Sequence, residues 1–393
     1  MSKSPVRNLI LLGFWAPGLA FMRRCSQAGI KVHLMDLLPD EATAGNEGVA
    51  SGLYGGALTW KQVGTEGGLT RLLDFANRVD ADAISTVDEL SMHWLAKSRD
   101  RFEPRCCVMG SPADSIAQLL DKGEQTRVAR AAGFQILDTW MLEPSTDLAA
   151  IPAAAYPICI RPTVVNTIEP SFKAMKIASK AELQAYTSLL TKWTGPLIAQ
   201  PFHVGPNITV HAVRSVSGEV LALQGFRAER KFRGFSLSIE KCSVPAQIIA
   251  AAELFASVSN INGPFHFDLL QDEKTGEIYF LEINFRMGGT TAKILRLGFD
   301  EPMLALTAYG LFPSEPPPPL ESVTRVTSKA TLVAQIVSVF KRVPDDLAWP
   351  QRSALWTLAT AVWELVTVPD ALWTIRDLRG TIGYLRRGVS KAF

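Results

Sequence analysis

Two periodicities alternate along the first part of the chain. Residues 8–13 form a short apolar run that closes on Gly13, residues 17–29 follow a helical pattern, and residues 30–36 read as a second strand ending in an acid, Asp36. A helix over 68–79 and strands over 83–86 and 108–111 continue the alternation. Strand, glycine turn, helix, strand, acid is the opening of a doubly wound α/β unit, so a Rossmann-like N-terminal domain is expected over residues 1–112. The turn reads Gly13-Phe-Trp-Ala-Pro-Gly18 and lacks GxGxxG, so the dinucleotide fingerprint is missing and the glycine is expected to serve the turn itself.

From Ala113 the pattern changes. It predicts a helix over 115–132 that carries Leu119-Leu120-Asp121-Lys122 in mid-run and ends at Gly133. An extended stretch over 134–141 follows, then a strand over 156–161 ahead of Pro162. Ser179, with Glu182 at the capping-box position, starts a helix expected to run to about Trp193. A strand over 197–202 precedes a hairpin of residues 207–215 and 220–228 around Ser217-Gly218. An alanine-rich helix over 245–260 leads to a second hairpin, 265–270 with 277–285. The run Ser314-Glu-Pro-Pro-Pro-Pro319 reads as a stiff linker and a domain boundary.

Composition narrows the class. A chain of 393 residues with 47% apolar and 20% charged residues has room for two or three domains and a sizeable core. The net charge of +2 provides no global field for nucleic acid. Five cysteines with no CxxC pair, two of them adjacent at Cys106-Cys107, suit reduced thiols rather than a disulfide framework or a zinc knuckle. The N-terminus lacks the cleavage pattern of a signal peptide, and no window of roughly 18 uninterrupted apolar residues occurs, so a cytoplasmic protein without a spanning helix is expected.

The chemistry concentrates in residues 263–290. Leu281-Glu282-Ile-Asn284-Phe-Arg286-Met-Gly-Gly289 follows the hairpin, and strand periodicity sends Glu282, Asn284 and Arg286 to one face and Ile283 and Phe285 to the other. Asp268 on the preceding strand can reach the same patch. Two carboxylates and an amide oxygen are hard ligands suited to Mg²⁺ or Mn²⁺ bridging phosphates, and Arg286 is a cation placed for a phosphate or a developing oxyanion. The same spacing also suits a salt-bridge cluster at a strand end.

Glu282-Ile-Asn284-Phe-Arg286-Met-Gly-Gly, preceded at hairpin distance by a strand ending in Asp268, resembles the metal-binding signature of the ATP-grasp superfamily. Other landmarks follow in that family's order. Asp121-Lys122 resembles the linker lysine, residues 156–162 with Arg161-Pro162 resemble the strand that normally ends Lys-Pro, and residues 197–207 resemble the interlobe hinge. The resemblance covers about residues 1–312 and is closest to the carboxylate–amine ligase and carbamoyl-phosphate-synthase-like branches. It implies a two-lobed ATP-grasp body over 113–313, with a small lobe at about 145–200.

By that resemblance, Lys122 and Arg161 neutralise ATP phosphates. Gln200, Pro201, Phe202 and Val204 hold adenine, and Asn207 falls where an acid usually contacts ribose. Asp268, Glu282 and Asn284 hold Mg²⁺ (or Mn²⁺), Arg286 binds the transferred phosphoryl group or acyl-phosphate, and residues 231–236 form a phosphate-side loop. The implied reaction joins a carboxylate to an amine through an acyl-phosphate, releasing ADP and phosphate, on small-molecule or carrier-linked substrates. Carboxyphosphate formation, carbon–thiol ligation and a non-catalytic nucleotide-binding role are the rival readings. Arg161 in place of lysine, and Gln200 and Asn207 in place of acids, are departures from the family pattern.

Residues 320–393 read as a helical, tryptophan-rich extension with a basic end. Trp349, Trp356 and Trp363 recur every seven residues, which places them on one helical face. Arg376, Arg379, Arg386, Arg387 and Lys391 stand against Asp377 alone, a net +4 over residues 371–393. Three readings stay open: a cap packed on the body, peripheral contact of residues 345–393 with the inner membrane face, and a homo-oligomer contact.

Overall fold

The computed structural model describes residues 6–14, 16–38, 53–144, 150–164, 167–312, 322–378 and 380–382. Trp15, Ser145, the proline-rich run at 314–319, and Arg379, Arg386, Arg387 and Lys391 lie outside the described residues, as does the side chain of Arg376.

The first sheet joins β1 (Asn8–Leu12), β2 (Lys31–Leu38), β3 (Leu53–Thr59), β4 (Ala83–Thr86) and β5 (Cys107–Val108) in the order β3-β2-β1-β4-β5, all parallel. The apolar run of β1 is central and buried from Leu9 to Leu12, as a parallel strand covered on both faces must be. Gly13 leaves it at φ +93°, a conformation that residues with a side chain rarely adopt, so the expected glycine turn is present. Helices α1 (Ala16–Gln27), α2 (Glu66–Arg78), α3 (Glu89–Lys97) and α4 (Arg99–Phe102) connect these strands.

The helix expected over 115–132 is two helices, α5 (Ala113–Leu119) and α6 (Lys122–Ala132). Asp121 breaks the run because its carboxylate accepts the Glu124 amide at 3.0 Å as an N-cap, while the Lys122 amide donates to the Thr163 carbonyl at 3.2 Å. The break fixes Lys122 at the first turn of α6.

A four-stranded antiparallel sheet follows, built from β6 (Trp140–Leu142), β7 (Ile158–Pro162), β9 (Met175–Ile177) and β11 (Leu197–Pro201) in the order β6-β11-β7-β9. A two-stranded sheet pairs β8 (Ile168–Glu169) with β10 (Lys192–Trp193). Ser179 caps α7 (Lys180–Thr187) as expected, but the helix stops at Thr187 instead of reaching Trp193. The last residues of the expected helix are needed for the β8–β10 ladder.

The largest sheet has six antiparallel strands in the order β16-β15-β12-β13-β14-β17. They are β12 (Asn207–Arg214), β13 (Val220–Phe232), β14 (Phe235–Cys242), β15 (Gly263–Gln271), β16 (Ile278–Asn284) and β17 (Arg325–Thr327). Helix α8 (Ala246–Val258) packs on one face. The other elements are α9 (Thr291–Arg296), α10 (Glu301–Ala308), α11 (Lys329–Phe340) and α12 (Ala354–Thr367). One apolar core runs from Leu9 and Phe21 of the first sheet and α1 to Phe226, Ile294 and Met303.

The C-terminal segment is bound into this body. It supplies β17 to the sheet edge, the Lys231 amide donates to the Trp349 carbonyl at 2.8 Å, and Arg23 meets Asp377 at 2.8 Å. Trp349 lies in that bridge and outside any helix, so the expected shared face of three tryptophans reduces to Trp356 and Trp363 on α12.

Candidate active site

A cavity of about 920 Å³ opens between the four-stranded sheet and the six-stranded sheet. Gln200, Pro201, Phe202, Val204 and Asn207 line one end, where β11 passes into β12. The geometry of this crossing is tight. A Cβ on Gly205 would fall 1.8 Å from the Gln271 carbonyl oxygen, so only glycine lets the crossing pack on the β15–β16 turn. His203 Nδ1 lies 2.6 Å from Asp272, whose carboxylate also accepts the Lys274 and Thr275 amides and shapes that turn.

Lys122 and Arg161 also line the cavity. Arg161 is 8% exposed and donates to Gln200 Oε1 at 2.8 Å and to the Leu281 carbonyl at 3.2 Å, tying the small antiparallel sheet to β16. Lys122 forms an ion pair with Glu282.

The hairpin delivers the carboxylates together. Asp268 and Glu282 are direct partners across β15–β16, and Asn284 is opposite His266. Asp268 sits in mid-strand, three residues short of the end of β15 at Gln271, so the expected strand-end position is corrected. Ile283 and Phe285 are 1% exposed on the opposite face, as period two requires. Asn284 Nδ2 donates to Asp268 at 3.1 Å, and Arg286 Nη2 donates to Asn284 Oδ1 at 3.4 Å. Arg286 also meets Glu89 of α3 at 3.3 Å, a partner from a helix of the first α/β unit that no local pattern announced.

The electrostatics of the pair are unequal. Burial, and then the charge of Glu282, push the Asp268 carboxyl up to about 6. Burial also acts upward on Glu282, but Lys122, Lys173 and Arg161 outweigh it and hold that carboxyl down at about 2. Beside them, Thr209 Oγ1 and His266 Nδ1 are buried without a hydrogen-bond partner among the described residues. Crowded carboxylates, an amide oxygen and unsatisfied polar atoms on one wall fit a divalent cation that brings further oxygens with it. Among the described residues, there is no group of three or more His, Cys, Asp or Glu placed to hold a metal ion.

All the residues expected to form the site therefore line one cavity. Lys173 and Lys293, which line it too, were missed, because neither belongs to a motif and each comes from a separate loop or helix. Of the histidines, His211 is fully buried, stacked on His266 at 4.5 Å and bonded to Glu301 and Thr290 at 2.8 Å each.

No protein-family model matches the chain, and no curated protein does. Solved structures do. An ADP complex of N5-carboxyaminoimidazole ribonucleotide synthetase superposes with a TM-score of 0.63 at 14% identity, covering 92% of this chain and 98% of that one. L-amino acid ligase from Bacillus licheniformis superposes at 0.58 with 16% identity, covering 80% and 78%. Biotin carboxylase from Campylobacter jejuni superposes at 0.56 with 15% identity, covering 81% and 73%. The chain has the ATP-grasp fold.

Proposed function

We propose that the protein is an ATP-dependent ligase that joins a carboxylate to an amine through an acyl-phosphate, releasing ADP and phosphate. The observation that carries this reading is the meeting of Lys122, Arg161, Asp268, Glu282, Asn284 and Arg286 in one cavity between two sheets. The similar structures include ligases and carboxylases, among them complexes with ADP and with MgADP.

In this reading, residues 200–204 and Asn207 hold the adenosine end of ATP. Lys122 and Arg161 take the phosphates, and Lys122 leaves Glu282 to do so. Asp268, Glu282 and Asn284 would hold Mg²⁺, which supplies neutralisation of charge on the phosphate oxygens. Arg286, fixed by Asn284 and Glu89, faces the transferred phosphoryl group and then the acyl-phosphate. The substrate carboxylate attacks the γ-phosphorus and ADP leaves; the amine then attacks the acyl carbon and phosphate leaves. Charge positioning does most of this work, and no protein nucleophile is needed. The five free cysteines, among them Cys159 in the cavity wall, accordingly need no nucleophilic role.

The test is ADP formation over pairs of candidate acids and amines, with product mass to identify the bond made. Glu282→Gln keeps the shape and removes a charge, so it should abolish ADP formation while the fold survives. Turnover at the wild-type rate in that variant would reject the site, and a carboxylated or thioester product would reassign the chemistry.

The C-terminal helices favour a second element of the reading, peripheral attachment to an anionic lipid surface. Leu355, Val362, Trp363 and Val366 of α12 are 78%, 52%, 68% and 80% exposed, and Trp373 and Ile375 follow at 47% and 88%. The one charged residue of α12, Glu364, is turned inward, and the sequence that follows has the net +4 end. Apolar side chains with basic neighbours suit an anionic interface, each cation contributing on the order of 1 kcal/mol. No helix among the described residues is long and apolar enough to cross a membrane. Co-sedimentation with anionic but not neutral vesicles, lost at high salt, is the expected result. Dimerisation in light scattering without vesicle binding would give this face to a second copy instead.

A further inference from the structure

The cavity extends past the nucleotide and metal residues. Its lining reaches across the six-stranded sheet, from Asp268 and Glu282 on β15 and β16 to Ser236 on β14 and Ser328 after β17, together with Thr290 and Lys293 at α9 and Leu372 of the C-terminal segment. Lys293 is the cation among them. It is 6% exposed, and its ammonium donates to the Ser236 carbonyl. No carboxylate among the described residues comes within ion-pair distance of it.

The nearby acids are engaged elsewhere. Glu364 is held by Arg230 at 3.0 Å and by the Ser238 hydroxyl at 2.6 Å. Asp370 accepts the amides of Lys329, Leu372 and Trp373 at 2.7–2.8 Å. Two amides at the start of α11 are engaged as well, since Asp370 takes that of Lys329 and Ser328 that of Thr331. An ammonium has three N–H donors, and a buried charge is costly unless it is paired and hydrogen-bonded. Burial outweighs the more distant charges of Asp370 and Glu364 and lowers Lys293 to about 8. Among the described residues Lys293 has one hydrogen-bond acceptor and no carboxylate counter-ion, which leaves its charge able to take an anionic ligand in the cavity.

We propose that Lys293 binds an anionic group on the acceptor amine, so that the second substrate is a small molecule bearing a carboxylate or a phosphate ester. The assignment rests on the ligase reading. In that reading the donor carboxylate must approach the γ-phosphate beside Asp268, Glu282 and Arg286. Lys293, toward the β14–β17 edge of the sheet and away from the carboxylates of β15 and β16, then serves the other substrate. A neutral amine would leave two donors of a buried ammonium unused.

The experiment is thermal unfolding of the full chain. Mg²⁺ and the non-hydrolysable analogue AMP-PNP fill the nucleotide and phosphoryl end first. Inorganic phosphate and, separately, acetate are then titrated at constant ionic strength. The expected result is a saturable rise in Tm with at least one anion. That rise should weaken at least tenfold in Lys293→Met and persist in Lys293→Arg. A response to phosphate alone points to a phosphate ester and a response to acetate to a carboxylate. If Lys293→Met does not fold, Lys293→Gln, which keeps a donor for the Ser236 carbonyl, replaces it. Lack of response to both anions in the wild-type protein, or an equal response in the uncharged variant, overturns the assignment. Failure of AMP-PNP with Mg²⁺ to shift Tm is a different result: it rejects the nucleotide site itself, and the acceptor assignment falls with it.

Discussion

Helices α8 and α12 have similar sequences and opposite placements. Each is rich in alanine and large apolar residues, and each carries one charged residue, Glu253 in α8 and Glu364 in α12. In α8 the glutamate faces out, and Ile248, Ala252 and Phe255 enter the core under the six-stranded sheet. In α12 the glutamate is 5% exposed and only Ala361 is buried beside it, while Trp363 and Val366 face out. The difference lies in what each helix meets. Beneath α8 lie Phe267 and Phe280, which an aromatic side chain completes. Beneath α12 lies Arg230, 6% exposed on β13, which needs an acid. Hydropathy decides that a helix has an apolar face, and the partner decides whether that face is used.

Removing each helix's anchor gives the largest effects. Phe255→Ala should cost about 3–5 kcal/mol, the range for a buried phenylalanine, seen as a lower denaturant midpoint. Glu364→Ala should cost about 3–5 kcal/mol as well, but for another reason, because it leaves the Arg230 guanidinium buried without its carboxylate. The two mechanisms separate in a double variant. Arg230→Met with Glu364→Leu should recover most of the loss, since two apolar side chains need no pairing; a double variant as unstable as Glu364→Ala would mean that α12 is held by its exact polar contacts. The smallest effect is expected outside. Trp363→Ser should change stability by less than about 0.5 kcal/mol, and a loss of several kcal/mol would show that the outer face of α12 is covered in solution.

The active-site end of the molecule was far more legible than its C-terminal end. Glu282, Asn284, Ile283 and Phe285 could be sorted onto faces because a strand alternates strictly, while the pairing of Asp268 with Glu282 depends on a register shift between Asp268 and Leu269 that the turn at Asp272 does not announce. The β1 turn and the Ser179 cap were equally local. Where the reading failed, a distant partner had overridden the local pattern. The helix broke at Asp121 because Lys122 was required by Thr163 and Glu282, and α7 ended early because Lys192 and Trp193 pair with β8. Trp349 left its heptad because the backbone of Lys231 claims it.

The sequence by itself determined the elements whose residues are neighbours along the chain: the parallel βα opening, the two hairpins, and the polar face of Glu282 and Asn284. Short-range sterics and period-two geometry act within a few residues, so they can be read from a few residues. Only the tertiary structure decided that Lys173 and Lys293 line the same cavity as Lys122, that Glu89 steadies Arg286, and that α12 turns its glutamate inward. Those outcomes depend on desolvation and charge pairing between residues brought together across the sheets, and a buried charge takes its place from the partner that packing supplies, not from its neighbours in the chain.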